Sequence, residues 1–206
     1  MTMKRSDSQT RRGFNLVELL VVIGIAAILI AMLLPVLGKA QQQARKVNCL
    51  SNLREIGHSL LIYINQNRGW VFPPLRHGGL PRHERWPNFV FTPAVWNPPV
   101  LTCPQDWEPR EEHSYVLNDH LYLRQVRYFT KNLRRPASQI VVLGEKRSSE
   151  GDYYMNVGDF DRVVELYRHG LRAGSNYLFL DMHAGALPRG EAIVGIDPWD
   201  FGIPPR

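Results

Sequence analysis

The chain has 206 residues, enough for one ordinary domain and an additional segment. Its formal net charge is +6, but residues 1–13 hold four basic side chains against one aspartate, so half of the charge lies there. The +3 that remains outside this segment argues only weakly for nucleic acid, and we expect no nucleic-acid partner. The common phosphate-binding, metalloprotease, nucleophile-elbow and paired-CxxC motifs are also absent from the sequence. We therefore expect a protein that is not an enzyme, with no catalytic residues and no cofactor.

A long apolar segment follows the basic start. Every residue from 19 to 34 is apolar or glycine, and Glu18 is the only charged residue between Arg12 and Lys39. A helix over 14–38 would be roughly 37 Å long, and the hydrocarbon core of a bilayer is about 30 Å thick. We therefore predict a transmembrane helix over 14–38, whose small residues suit close helix contacts in lipid.

A secretory signal peptide is the alternative, because it also combines a basic start with an apolar run. Three features argue against it: the run is longer than usual, no small-x-small cleavage site follows it, and Glu18 lies near its start. The basic residues before the span predict a cytoplasmic N-terminus, although Lys39, Arg45 and Lys46 weaken the charge asymmetry. The bulk of the chain is then expected outside the cytoplasm.

Glu18 is the unusual residue of this segment. A carboxylate inside an apolar helix is costly in lipid, so it requires a partner or a position among the lipid headgroups. The segment 11–20, RRGFNLVELL, resembles the processing motif of type IV pilins and type II secretion pseudopilins. This resemblance implies that a prepilin peptidase cleaves between Gly13 and Phe14, which removes the leader 1–13, and that the new Phe14 amine is N-methylated. It also implies that Glu18 pairs with the Phe14 amine of a neighbouring subunit.

The same resemblance implies a location and a set of partners. It describes a single-pass protein of the bacterial inner membrane, with a cytoplasmic N-terminus and a periplasmic C-terminal domain. The implied partners are the prepilin peptidase, other pilin or pseudopilin subunits, the inner-membrane assembly platform and membrane lipid. Pro35 lies where many such pilins have a helix-bending proline, since proline inside a helix removes a hydrogen bond and kinks it. The implied function is that of a structural subunit of a type II secretion or type IV pilus-like filament.

The helix is predicted to continue beyond the membrane. Apolar residues recur every three or four positions between 47 and 64, which predicts an amphipathic helix over 39–67. Gly69 follows a polar cluster, as is typical of a helix C-terminus. A single long helix over 14–67 is therefore expected, with one half in lipid and one half in a globular domain.

The rest of the chain divides by composition into two regions. Residues 68–112 are rich in proline and tryptophan and are predicted to be irregular. Residues 113–206 hold short β-prone runs separated by turn residues, at 114–117, 126–129, 140–143, 163–166, 177–180 and 192–194. We predict an α+β fold in which the long helix packs on an antiparallel sheet, as in pilins.

The tryptophans allow a different function. Trp70, Trp86, Trp96 and Trp107 could form a surface that binds glycans or envelope polymers, on a membrane-tethered module that never polymerises. Tryptophans among prolines are more often the packed underside of a long loop, and we favour that interpretation.

Cys49 and Cys103 are the only cysteines of the chain. Both are expected outside the cytoplasm, where a single pair tends to form a disulfide that would join the proline-rich region to the helix. Two buried free thiols are the alternative.

A second and looser resemblance covers the C-terminal half. The segments around Cys49, Cys103 and His169 resemble a group of prepilin-type proteins, abundant in planctomycetes, that ends in a processing-associated domain marked by His, nine residues and Asp-Gly. Here eleven residues separate His169 from Asp181, and Met182 replaces the glycine. His169, Asp181 and His183 are a weak candidate metal site, and a hydrogen-bonded turn at the edge of the sheet is the favoured interpretation.

Overall fold

The computed structural model describes residues 15–70, 85–91, 99–118, 133, 135–155 and 159–188. The chain divides into two compact units, Met1–Gln41 and Gln42–Arg206. Helix α1 (Leu16–Gln66) contributes to both, and Pro35 lies inside it. The cleavage site between Gly13 and Phe14 lies outside the described residues.

The start of α1 has a local hydrogen-bonding arrangement that the sequence explains. The side chain of Asn15 accepts a hydrogen bond from the Val17 amide, at 3.3 Å between Oδ1 and N. The carboxylate of Glu18 accepts one from the Asn15 amide, at 3.1 Å between Oε2 and N. The arrangement resembles a capping box, although the Asn15 side chain binds the second helical amide and not the third, and it satisfies amides that the first turn leaves without intrahelical acceptors.

The first unit is a helix with an apolar surface. Its large apolar side chains between Leu16 and Leu37 are all about half exposed or more, from 49% to 75%. The helix is long and apolar enough to cross a membrane, and none of its most apolar window is buried in the structure. An exposed apolar surface of this extent requires lipid or protein to cover it.

The second unit contains a five-stranded sheet. Its strands are β1 (Tyr115–Asn118), β2 (Val141–Glu145), β3 (Tyr154–Met155), β4 (Ser175–Phe179) and β5 (Ala184–Leu187). The strand order is β3-β1-β2-β4-β5. All neighbours are antiparallel except β1 and β3, which pair in parallel. The α+β class is therefore confirmed, but the prediction of a purely antiparallel sheet is wrong. The link 146–153 carries the chain from β2 past β1 to the edge of the sheet, where β3 runs parallel to β1.

Three of the predicted strands correspond to observed ones: 114–117 to β1, 140–143 to β2 and 177–180 to β4. A short helix α2 (Trp86–Val90) follows α1 in the described residues, and helix α3 (Phe160–Val163) precedes β4. The run 163–166 is not a strand, because α3 ends there and Val164 forms only an isolated bridge with Lys146. Short apolar runs suit a buried helical turn and a strand equally well, which explains the error. The runs 126–129 and 192–194 lie outside the described residues. Strands β3 and β5 were not predicted.

The sheet of the second unit has a core on each face. On one face α1 contributes Leu53, Ile56, Leu60 and Ile64 to a core that includes Leu178 of β4. Gly57 makes this contact close, because a Cβ there would come within 2.9 Å of a methyl carbon of Leu178. The residues of the other core include Val116, Val141, Val163, Tyr177 and Phe179. Both faces are therefore covered, so all residues of β1, β2 and β4 are buried.

Candidate functional site

Four polar or ionisable side chains converge inside the second unit: Cys49, Cys103, Glu145 and His169. Their sulfur, oxygen and nitrogen atoms all lie within 4.8 Å of one another. The four residues are 0–4% exposed. Among the described residues this is the one group of three or more such side chains that could hold a metal ion.

Separate parts of the fold supply these side chains. Cys49 lies on the buried stripe of α1, one helical turn before Leu53, and Glu145 ends β2. Cys103 follows the 3-10 helix Pro99–Leu101, and its amide donates a hydrogen bond to the Ser114 hydroxyl at 2.9 Å. This bond holds the loop of Cys103 against the start of β1.

His169 lies in a tight loop before β4. Its amide donates a hydrogen bond to the carbonyl of Gly174 at 3.0 Å. Gly174 has a φ of +67°, and a Cβ at that position would come within 1.9 Å of the Leu187 carbonyl oxygen. Only glycine fits there, so the loop depends on Gly174 for the position of His169.

Glu145 is the centre of the hydrogen-bond network. Its Oε1 accepts hydrogen bonds from the Cys49 thiol at 2.6 Å and from His169 Nε2 at 2.9 Å. Its Oε2 accepts one from the backbone amide of Asn176 at 2.8 Å. The Tyr115 hydroxyl lies 3.1 Å from the sulfur of Cys49. A fully buried carboxylate requires such partners, because an isolated charge in the interior is strongly unfavourable.

The network divides the protons unequally among the four groups. Burial opposes ionisation of Glu145, but hydrogen bonds from His169 and Cys49 and the charge of His169 lower its pKa. Burial also opposes a charged His169, yet hydrogen bonds with Cys103 and Glu145 raise the pKa of the imidazole to about 9. Hydrogen bonding with the Cys49 side chain favours the ionised form of Cys103 and lowers its pKa, whereas burial raises the pKa of Cys49. Cys103 therefore becomes a thiolate before Cys49 does.

A buried ion pair supports the two loops of the cluster. Asp106 lies three residues after Cys103, Arg168 directly precedes His169, and their side chains are in contact. The hydroxyl of Ser148 donates to Asp106 and accepts from Arg168. Arg168 also donates to the carbonyl of Lys146. The loops of Cys103 and His169 are thus connected to each other and to the end of β2.

The structure separates the three residues of the predicted metal site. Asp181 and His183 form an exposed pair, with 2.5 Å between Oδ1 and Nδ1, and the His183 ring stacks on Phe179 at 4.2 Å between centroids. His169 belongs to the buried cluster instead. Met182, with a φ of +66°, lies in the turn between β4 and β5. Asp181 and His183 therefore form the edge-turn arrangement that the sequence analysis favoured.

The two cysteines carry free thiols in the structure, and both are buried. A disulfide between Cys49 and Cys103 is expected from the sequence, and this structure does not contain it. Their sulfur atoms are nevertheless close, at 4.8 Å or less. The predicted bond remains a prediction for an oxidised form of the chain.

The tryptophans do not form one surface among the described residues. Trp86 is fully buried in the core on the α1 face, Trp70 is half-buried, and Trp96 lies outside the described residues. Trp107 is 72% exposed, and the guanidinium of Arg45 lies 4.6 Å from its ring centroid. The packed interpretation is therefore correct for Trp86, and Trp107 is the accessible aromatic.

No protein-family model, curated protein or solved structure matches the chain.

The cluster was not predicted from the sequence. Cys49, Cys103 and His169 were candidates in separate segments, and Glu145 was not a candidate. Metal-ligand motifs are recognised by short spacings, and the four residues here are far apart in the chain. The available signal was a glutamate at the end of the apolar run VVLGE, since a charge within a buried strand must have a partner.

Proposed function

We propose that the chain is a pilin- or pseudopilin-like structural subunit of a type II secretion or type IV pilus-like filament. The observation that carries this proposal is the first half of α1, whose apolar side chains are exposed on all sides from Leu16 to Leu37. A tether needs only to cross the bilayer. A helix that also carries a carboxylate at its apolar start suits assembly, in which neighbours supply both apolar contact and a countercharge.

In this proposal a prepilin peptidase removes residues 1–13 and leaves Phe14 as the new N-terminus. The Glu18 carboxylate then pairs with the methylated Phe14 amine of a neighbouring subunit in the filament. Within one chain Glu18 already caps its own helix through the Asn15 amide. A carboxylate offers about four lone-pair sites, so capping leaves capacity for the amine. The same side chain thus serves the helix start and the contact between subunits.

The second unit would face outward from the filament. It carries the closed core, the buried cluster and the exposed Trp107. Prepilin peptidase, the other subunits, the assembly platform and lipid are the partners that this function requires. The chemistry belongs to the peptidase, since the chain needs no active site of its own in this role.

Co-expression with a prepilin peptidase tests the processing step. Intact mass measurement should show the loss of residues 1–13 and the addition of one methyl group. Gly13→Ala should abolish the loss. Gly24→Ala is the matched control, because a Cβ there meets nothing within 4 Å beyond its chain neighbours and the backbone of its own helix, so processing should continue. An unchanged mass of the wild-type chain with an active peptidase would contradict the proposal.

Crosslinking in native membranes tests assembly. A filament subunit should give a ladder of oligomers that depends on the peptidase, whereas a tethered binding module should give none. Trp107→Ala should leave the ladder unchanged. A processed chain without a ladder would instead favour the tethered module, with Trp107 as its accessible aromatic.

A further inference from the structure

We propose that Cys49, Cys103, Glu145 and His169 form a closed structural zinc site. Two thiols, an imidazole and a carboxylate are ligand types that Zn²⁺ accepts together in tetrahedral sites. Two sulfur ligands disfavour calcium and magnesium, which prefer oxygen. All four positions come from the protein, which leaves none open for substrate or water. The site is thus structural and not catalytic.

The spacing of the ligand atoms fits a zinc ion after a small adjustment. Zinc bonds of about 2.0–2.3 Å in a tetrahedron place the ligand atoms roughly 3.3–3.8 Å apart. The pairs that share Glu145 Oε1 are at 2.6 and 2.9 Å, Cys103 Sγ and His169 Nε2 are 3.9 Å apart, and no pair exceeds 4.8 Å. Movements of about 1 Å or less would therefore make room for the ion.

Binding would exchange hydrogen bonds for metal bonds within the cluster. The Cys49 thiol loses its proton, and Cys103 and His169 together lose one more when the ion takes the sulfur and Nε2, so two protons are released per zinc ion. Glu145 binds through Oε1, while Oε2 keeps its hydrogen bond from the Asn176 amide. The side-chain amide of Asn176, now 2.8 Å from His169 Nε2, gives up this position. The Tyr115 hydroxyl can remain a donor to the Cys49 sulfur.

The composition of the cluster favours zinc over a disulfide. A disulfide requires only the two sulfurs and would leave a fully buried glutamate and histidine to pair with each other. A divalent cation engages all four groups and offsets two of the three negative charges of the thiolates and the carboxylate. It would also connect α1, the loop after the 3-10 helix, β2 and the loop before β4. Such a connection stabilises a small domain directly.

The test uses the full-length chain in detergent, without an affinity tag. The protein is reduced, treated with a chelator, desalted and supplied with Zn²⁺ or Co²⁺. We expect one tightly held zinc ion per chain, and a cobalt spectrum with tetrahedral ligand-field bands and thiolate charge transfer. Zinc should protect both thiols from alkylation and raise the unfolding temperature. A cobalt spectrum without thiolate bands, or a disulfide that forms in the presence of excess zinc, overturns the proposal.

Variants identify the ligands. Cys49→Ser and His169→Gln should each lose the bound zinc. His183→Gln is the matched control, because His183 lies in the exposed pair with Asp181 and should retain full zinc content. Should a ligand variant fail to fold, the cobalt spectrum and the alkylation of the wild-type chain still decide. Equal zinc content in Cys49→Ser and in the wild type overturns the proposal.

Discussion

The guanidinium of Arg168 lies 3.1 Å from the carboxylate of Asp106, with the two side chains 8% and 0% exposed. Because the pair is buried, removal of one partner leaves the other charge without compensation in the interior. Loss of the pair also affects the positions of His169 and Cys103, since Arg168 directly precedes His169 and Asp106 follows Cys103 by three residues.

Asp106→Asn should therefore destabilise the second unit by about 3–5 kcal/mol, the usual cost of an uncompensated buried charge. Thermal unfolding of the full-length chain in detergent measures this. Asp161→Asn, on an exposed position of α3, is the control and should change stability little. If both variants unfold at the same temperature, the ion pair does not support the fold.

Glu18→Gln separates the two roles of Glu18. Glutamine is also accepted at the third position of a capping box, so the start of α1 should form normally. The charge partner of a neighbouring Phe14 amine is lost, and the peptidase-dependent crosslinking ladder should disappear while the loss of residues 1–13 continues. An unchanged ladder would mean that capping is the whole role of Glu18.

His113 should make stability depend on pH. Burial and the nearby charges of Lys146 and Arg85 lower its pKa from 6.5 to about 3, although its ring nitrogens lie near the carbonyls of Glu111 and Asp152. The folded state therefore holds a neutral imidazole, while the unfolded chain takes up a proton below pH 6.5. The stabilisation is complete above pH 6.5 and declines by about 1.4 kcal/mol per unit as the pH falls toward 3.

The variant His113→Gln checks this slope. Between pH 6.5 and 5 the free energy of unfolding of the variant should fall less steeply than that of the wild type. The difference in slope corresponds to the uptake of up to one proton on unfolding. Melting curves of both proteins at several pH values give the difference between their stabilities. The titration of carboxylates cancels in this difference because both proteins share it. Parallel pH profiles would show that His113 takes up no proton on unfolding.

Gly174→Ala tests the loop of His169. A φ of +67° costs a residue other than glycine about 1–3 kcal/mol. Contact with the Leu187 carbonyl adds to this. We expect a lower unfolding temperature and weaker zinc retention. Gly185→Ala, on β5, is the matched control, because a Cβ there meets ordinary contacts at 3.6 Å or more. Equal behaviour of the two variants would contradict the role of Gly174.

Local patterns in the sequence determined the long helix and three of the strands. In the first half of α1 apolar residues cover the whole helix surface, and in the second half they form one stripe that includes Leu53 and Ile56. This pattern can be read from the sequence because it depends only on residues close together in the same helix. Strands β1, β2 and β4 are rich in β-branched or aromatic residues and are buried on both faces, so their runs are conspicuous. Strand β5, Ala184–Leu187, has no such composition, and it forms because the turn at Met182 aligns its backbone with β4.

Only the tertiary structure decided which polar residues meet. Cys49, Cys103, Glu145 and His169 come from a helix, two loops and a strand end, and no local pattern relates residues so far apart in the chain. The parallel pairing of β3 with β1 and the burial of Arg168 beside Asp106 have the same origin. The sequence by itself determined an apolar helix with a single carboxylate at its start. The cluster of four side chains was determined by the packing of the second unit around the later turns of α1, because these side chains meet only through contacts between residues far apart in the chain.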